Sequence, residues 1–157
     1  MSMYDEFTKD FATRTLENLN YIETAEKNGK NTYEVTQLIN SFLGLIVFPQ
    51  EQDKERIRRV SIKQEIIDDL CSGVLENTYT DQHKELNLEN IVYHFRNAIS
   101  HGRVEPHADR NKKISVLYFH DCSQKKQTEN FRIKVEILLL RKFVREFAKG
   151  LIKTYEN

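Results

Sequence analysis

The chain has 157 residues, of which 39% are hydrophobic, 10% aromatic and 31% charged, enough apolar material for one buried core and too much for a globally disordered chain. Its formal net charge is zero, which speaks against a protein that coats nucleic acid nonspecifically; yet Lys and Arg number 11 against 17 Asp and Glu in residues 1–100 and 13 against 7 in residues 101–157, a basic C-terminal third. Cys71 and Cys122, far apart, give neither a disulfide framework nor a zinc site, and no long apolar run marks a secretory signal or a membrane span, so a single domain, 1–157, in the cytoplasm is expected.

Tyr4, Phe7, Phe11, Leu19 and Ile22 recur at helical spacing and the pattern stops at Asn28-Gly29, which predicts a first helix over 4–27 closed by a glycine cap. Asn31, with Glu34 three positions on, reads as a capping box for a second helix. Its stripe of Val35, Leu38, Ile39, Phe42 and Ile46 ends before Pro49, and this helix is expected to be the most buried. The charged segment 50–59 reads as a linker. Ile66, Ile67, Leu70, Cys71, Val74 and Leu75 predict a third helix, against which Gly73 counts. After a polar stretch over 76–87, Leu88, Ile91, Val92, Phe95, Ala98 and Ile99 predict a fourth, amphipathic helix that ends at His101-Gly102. Beyond Pro106 the period changes: residues 114–119 are rich in strand formers and 131–135 alternate, which predicts a hairpin whose connection, 121–130, is an exposed, mobile loop. Ile137, Leu140, Val144, Phe147, Leu151 and Tyr155 then predict a long closing helix. The expected fold class is mainly α, about five helices with a β-hairpin before the C-terminal helix.

The segment Phe95-Arg96-Asn97-Ala98-Ile99-Ser100-His101-Gly102 sets a permanent cation, an amide and a titratable imidazole close together at a helix end. The arginine fork matches phosphate oxygens, and histidine gives or takes a proton near neutrality. On an ideal helix Asn97 and His101 share a face, whereas Arg96 and His101 stand about 140° apart. A rigid helix therefore does not assemble the site. Either Gly102, as a left-handed cap, frees His101 to swing in the last turn, or two copies of the helix complete one site between them. RNA cleavage needs a base, an acid and positive charge against an anionic transition state. His101 and Arg96 supply these, with Asn97 to orient either, and the chemistry requires no metal and no cofactor. The bland alternative is a helix-capping histidine with a solvated arginine.

Other residues point less sharply. His94 stands two turns before His101, against the single turn of helical chelates, so no metal site is expected. His83, His107 and His120 read as surface or hairpin residues, and Cys71 as core. Tyr118, Phe119 and Phe131 are expected to pack the hairpin on the helices rather than stack on bases. Lys125 and Lys126 are weak candidates for a backbone phosphate; Arg103 is either a further phosphate contact or half of an ion pair with Glu105. No glycine-rich phosphate loop, His-Glu-x-x-His, Gly-x-Ser-x-Gly or dinucleotide fingerprint occurs.

Arg96-Asn97-Ala98-Ile99-Ser100-His101 resembles the motif of HEPN domains (higher eukaryotes and prokaryotes nucleotide-binding): an arginine, a polar residue, about three variable residues and a histidine. The resemblance extends to Val35-Thr36-Gln37-Leu38-Ile39-Asn40-Ser41-Phe42-Leu43-Gly44-Leu45-Ile46-Val47-Phe48-Pro49, which is similar to the N-terminal helix pair of a bacterial and plasmid-borne subgroup. It implies an antiparallel helical bundle and a homodimer whose motif helices face one another. It also implies metal-independent endoribonuclease activity carried by Arg96, Asn97 and His101, in a toxin–antitoxin, phage-defence or RNA-processing role. An antitoxin-like or nucleotide partner fits the same resemblance. Some family toxins carry a tyrosine two residues after the histidine; Arg103 stands there, so regulation through that tyrosine is not implied. Other members only bind, which makes a noncatalytic nucleotide-, RNA- or protein-binding module the alternative.

Overall fold

In the computed structural model, which describes residues 6–52, 54–75, 86–122 and 128–156, the element order is α1 (Phe7–Lys27), α2 (Glu34–Gln52), α3 (Lys54–Arg59), α4 (Gln64–Ser72), α5 (Leu88–Ser100), β1 (Val104–Ala108), β2 (Ile114–Cys122), β3 (Glu129–Glu136) and α6 (Ile137–Lys153). The fold is mainly helical, with a small antiparallel sheet, order β1-β2-β3, ahead of the last helix. Tyr4, residues 76–85 with His83, and the loop lysines Lys125 and Lys126 lie outside the described residues. Two compact groups of elements are taken in turn, one built from residues up to Ile62 and from Phe143 onward, the other from Lys63–Lys142.

The first group holds α1, α2, α3 and most of α6. Helix α1 buries Ala12, Leu19 and Ala25 and stops as expected. Gly29, at φ +76°, donates to the Glu26 carbonyl, and Lys30 reaches back to Ala25, which completes a Schellman cap. Helix α2 buries Leu38, Phe42, Leu45 and Ile46, and Phe42 meets Phe143 of α6 edge-on at 6.0 Å. Two expectations fail here. Glu34 is the first helical residue of α2, so Asn31 stands too early to form the capping box. Pro49, expected to lie beyond α2, is inside its last turn, where a missing N–H removes a single ladder bond. The described residues of the segment 50–59, expected to be a linker, are helical: α2 runs on to Gln52, and α3 carries a run of charge but buries Ile57. On α6, Arg145 donates to Asn20 and Glu23, each at 2.7 Å, tying the polar side of that helix to α1.

The second group is α4, α5, the sheet and the first residues of α6. Helix α4 ends at Ser72, short of the predicted Val74 and Leu75. Those two residues leave the helix and run beside β3: Val74 bridges Ile133, and Leu75 donates to the Arg132 carbonyl at 2.9 Å. The predicted hairpin is β2–β3, with Phe119 opposite Ile133 and Asp121 opposite Phe131. Strand β1, which is not among the expected elements, pairs with the other edge of β2, placing Pro106 opposite Leu117. An edge strand is where proline is tolerated. Leu117, Phe119, Phe131, Ile133 and Val135 form the inner face of the sheet. Helix α5 covers it with Ile91, Val92, Phe95 and Ala98, and Phe95 meets Phe119 edge-on at 4.8 Å. Phe119 and Phe131 are thus core residues rather than a base-stacking platform.

Candidate active site at the end of helix α5

Helix α5 begins on a made cap, with the Asn87 side chain accepting from the Asn90 N–H at 3.0 Å. It ends on another. His101 is the C-cap, and Gly102, at φ +66°, donates to Ile99 at 3.0 Å while Arg103 donates to Ala98 at 2.7 Å. This is the same Schellman geometry that closes α1, and it puts His101 in the cap, Asn97 in the last helical turn and Arg96 just before it. The next residue along, Arg103, is drawn to the sheet because its carbonyl accepts from the His120 N–H at 3.2 Å.

The inner face of α5 is not wholly apolar. His94 and Asn97 lie buried between the hydrophobic residues, and both point at a carboxylate, Asp121, itself 3% exposed. His94 Nδ1 stands 2.9 Å from Asp121 Oδ2, and Asn97 Nδ2 donates to the same oxygen at 2.9 Å. The other oxygen, Oδ1, accepts from the Cys122 N–H at 2.8 Å and lies 3.5 Å from the Arg103 guanidinium. Asn97 Oδ1 in turn accepts from Arg96 at 3.0 Å. A continuous path of hydrogen bonds therefore runs from Arg96 through Asn97 to Asp121. Burial pushes the Asp121 carboxyl up, but the bonds from His94, Asn97 and the Cys122 N–H outweigh it and hold the group below the ordinary carboxylate range. An anionic acceptor sets the proton of the His94 ring on Nδ1. The ring stacks flat on Phe131, with centroids 4.2 Å apart and planes at 6°.

Of the residues singled out in the sequence, Arg96, Asn97 and Arg103 converge on this network. His101 does not join it: its ring is exposed, and among the described residues it has no hydrogen-bond partner. Arg103 pairs with Asp121 rather than with Glu105, which instead accepts from Arg132 at 3.1 Å. Lys125 and Lys126 lie outside the described residues. His107 lies on the exposed edge strand beside Tyr118, and His120 Nδ1 is 3.6 Å from Glu105. Burial, and then the charge of Asp68, push the Cys71 thiol up, away from nucleophilic use. Among the described residues no group of three or more His, Cys, Asp and Glu side chains is placed to hold a metal ion, and no helix is long and apolar enough to cross a membrane.

Two members of the network, His94 and Asp121, do not stand out by residue type and spacing. His94 invites only a metal hypothesis when set against His101, yet it lies three residues before Asn97 and so on the same helical face. Asp121, expected to open an exposed loop, instead continues the alternation Leu117, Phe119, Asp121 on the inner face of β2. A carboxylate in phase with buried hydrophobes was the available signal.

A mainly helical fold whose Arg-Asn-x-x-x-His segment runs off the end of a helix is the arrangement of the HEPN class. The family model described as HEPN pEK499 p136 matches residues 1–157, and the chain belongs to that family. HEPN proteins are generally ribonuclease-like or nucleotide-binding, and they commonly dimerise and bind RNA. No curated protein and no solved structure matches the chain.

Proposed function

We propose that the chain is a metal-independent endoribonuclease that works as a homodimer. Arg96 stabilises negative charge on the phosphorus, Asn97 holds Arg96, and His101 moves the protons. The observation that carries this reading is a contrast at the end of α5: the Arg96 cation is tied through Asn97 to a buried carboxylate, at 3.0 and 2.9 Å, while the imidazole of the cap residue His101 is exposed and unengaged among the described residues. A fixed cation and an accessible acid–base group, brought to one phosphate by a second copy of the helix, are what phosphodiester cleavage requires.

In this reaction one histidine takes the 2′-hydroxyl proton as that oxygen attacks the adjacent phosphorus. A second proton goes to the departing 5′-oxygen. The products are a 2′,3′-cyclic phosphate and a 5′-hydroxyl, and no step needs a metal. A twofold dimer brings two copies of His101 and Arg96 to one phosphate, which supplies the acid and the base separately. Arg103, 31% exposed and close to the same carboxylate, is suited to a flanking phosphate. A role in toxin–antitoxin, phage-defence or RNA-processing systems follows from such an activity together with the family.

The test is RNA cleavage in EDTA by the wild type and by folded His101→Ala and Arg96→Ala proteins. Each variant should lose about 100-fold or more in rate, the scale of a positioned acid–base group or charge stabiliser. Wild-type rates in both variants refute the assignment. Saturable RNA or nucleotide binding with no turnover, insensitive to His101→Ala, would instead identify a noncatalytic binding module.

A further inference from the structure

We infer that Asp121 is a positioning residue that sets the orientation of the Asn97 amide and thereby fixes Arg96 for catalysis; this rests on the endoribonuclease reading above. The inner face of β2 would take a hydrophobe at position 121, between Phe119 in its own strand and Phe131 opposite. A carboxylate at such a place is disfavoured unless it is fully paired, and breaking the pairing costs more than never having had it. Here the pairing is complete. Four donors converge on the two oxygens, and three of them, His94, Asn97 and Arg103, come from the motif helix or the cap that closes it. The carboxylate is thus built toward the motif, not toward the sheet that carries it.

What it does there follows from the chemistry of an amide. Asn97 can present either its NH2 or its carbonyl oxygen inward. A carboxylate accepts and does not donate, so it draws the NH2, and the carbonyl oxygen is left facing Arg96, to which it is bonded at 3.0 Å. With the amide reversed, an NH2 would face a guanidinium, donor against donor. The charge of Asp121 therefore decides which end of Asn97 meets the arginine. His94, stacked on Phe131 and bonded to the same oxygen, holds the carboxylate in place from the other side.

Asp121→Asn is the informative variant, because it keeps the shape and loses the rule that orients Asn97. In the full chain it should lower kcat for RNA cleavage about tenfold to 100-fold, the scale typical of groups that orient an active-site residue, with KM within about twofold. If Asp121 acts through Asn97, the double variant Asp121→Asn/Asn97→Ala cleaves no more slowly than Asn97→Ala alone, whereas losses that multiply overturn the inference. A second readout is independent of catalysis. In nitrogen-15 NMR spectra Asp121→Asn should shift the Arg96 Nε–H resonance, and in the native protein that resonance should follow protonation of Asp121 with the same midpoint. Separate midpoints, or an unmoved Arg96 signal in a folded variant, also overturn it. The titration decides the matter if the variant does not fold. A wild type that never cleaves RNA sinks the endoribonuclease reading and leaves the Asp121 linkage to be decided by NMR.

Discussion

Gly102→Ala should destabilise the protein through its backbone alone. An added Cβ at this position meets nothing within 4 Å, so no clash enters. The residue sits at φ +66°, however, with both cap hydrogen bonds depending on that conformation. Left-handed backbone costs an L-residue about 1–2 kcal/mol, while replacing glycine removes freedom from the unfolded chain worth about 0.5–1 kcal/mol, for a net loss of about 0.5–1 kcal/mol. For a chain of this length that lowers Tm by roughly 1–4 °C. Gly102→Asn should cost less, because asparagine tolerates the left-handed region. Gly29→Ala is the matched control: φ +76°, the same pair of cap bonds and open space around the Cβ, but at the end of α1. Denaturant and thermal unfolding should give similar losses for the two alanine variants, while RNA cleavage falls only in Gly102→Ala, whose cap carries His101. Equal stability to wild type in both variants would refute the backbone argument. An equal fall of cleavage in both would refute the link between this cap and the site.

Three further outcomes follow from particular contacts. Gly150→Ala, inside α6, should destabilise by about 1–3 kcal/mol although alanine is the better helix former, because its Cβ would stand 2.8 Å from the Ser61 carbonyl oxygen; a rise in Tm would contradict it. Phe143→Ala, at a fully buried ring packed on Phe42 and Phe147, should cost about 3–5 kcal/mol by denaturant unfolding. The pH dependence follows from Asp121, whose folded-state pKa lies below its unfolded value of about 3.9. Its contribution to stability is fully present above about pH 4 and is lost as pH falls through the lower folded value, so Asp121→Asn should flatten the acid limb of a stability–pH curve.

Helices α1, α5 and α6 were legible because each carries an apolar stripe at one period and, for the first two, a glycine just past its end. The hairpin was legible in the alternation of β3 and the strand formers of β2. What escaped did so for local reasons. Strand β1 is an exposed edge with a proline and no buried alternation, so nothing in its own sequence marks it; pairing with β2 makes it a strand. Helix α3 has a single buried residue amid charge, too little to show a period. The site was half visible. Arg96, Asn97 and His101 stood out by residue type and spacing, but Asp121 is brought to them only by the packing of α5 on the sheet, across 24 residues of sequence from Asn97. A contact that depends on tertiary packing leaves no spacing rule to find.

In the proposed reaction the RNA supplies its own nucleophile to a phosphorus gripped by Arg96 and served by His101. A substrate carrying a single 2′-deoxyribose at the mapped cut position tests it directly, with products identified by mass spectrometry in EDTA. No cleavage is expected at the modified position, and on the unmodified RNA a 2′,3′-cyclic phosphate with a 5′-hydroxyl. Cleavage of the deoxy-substituted site at an undiminished rate would contradict it.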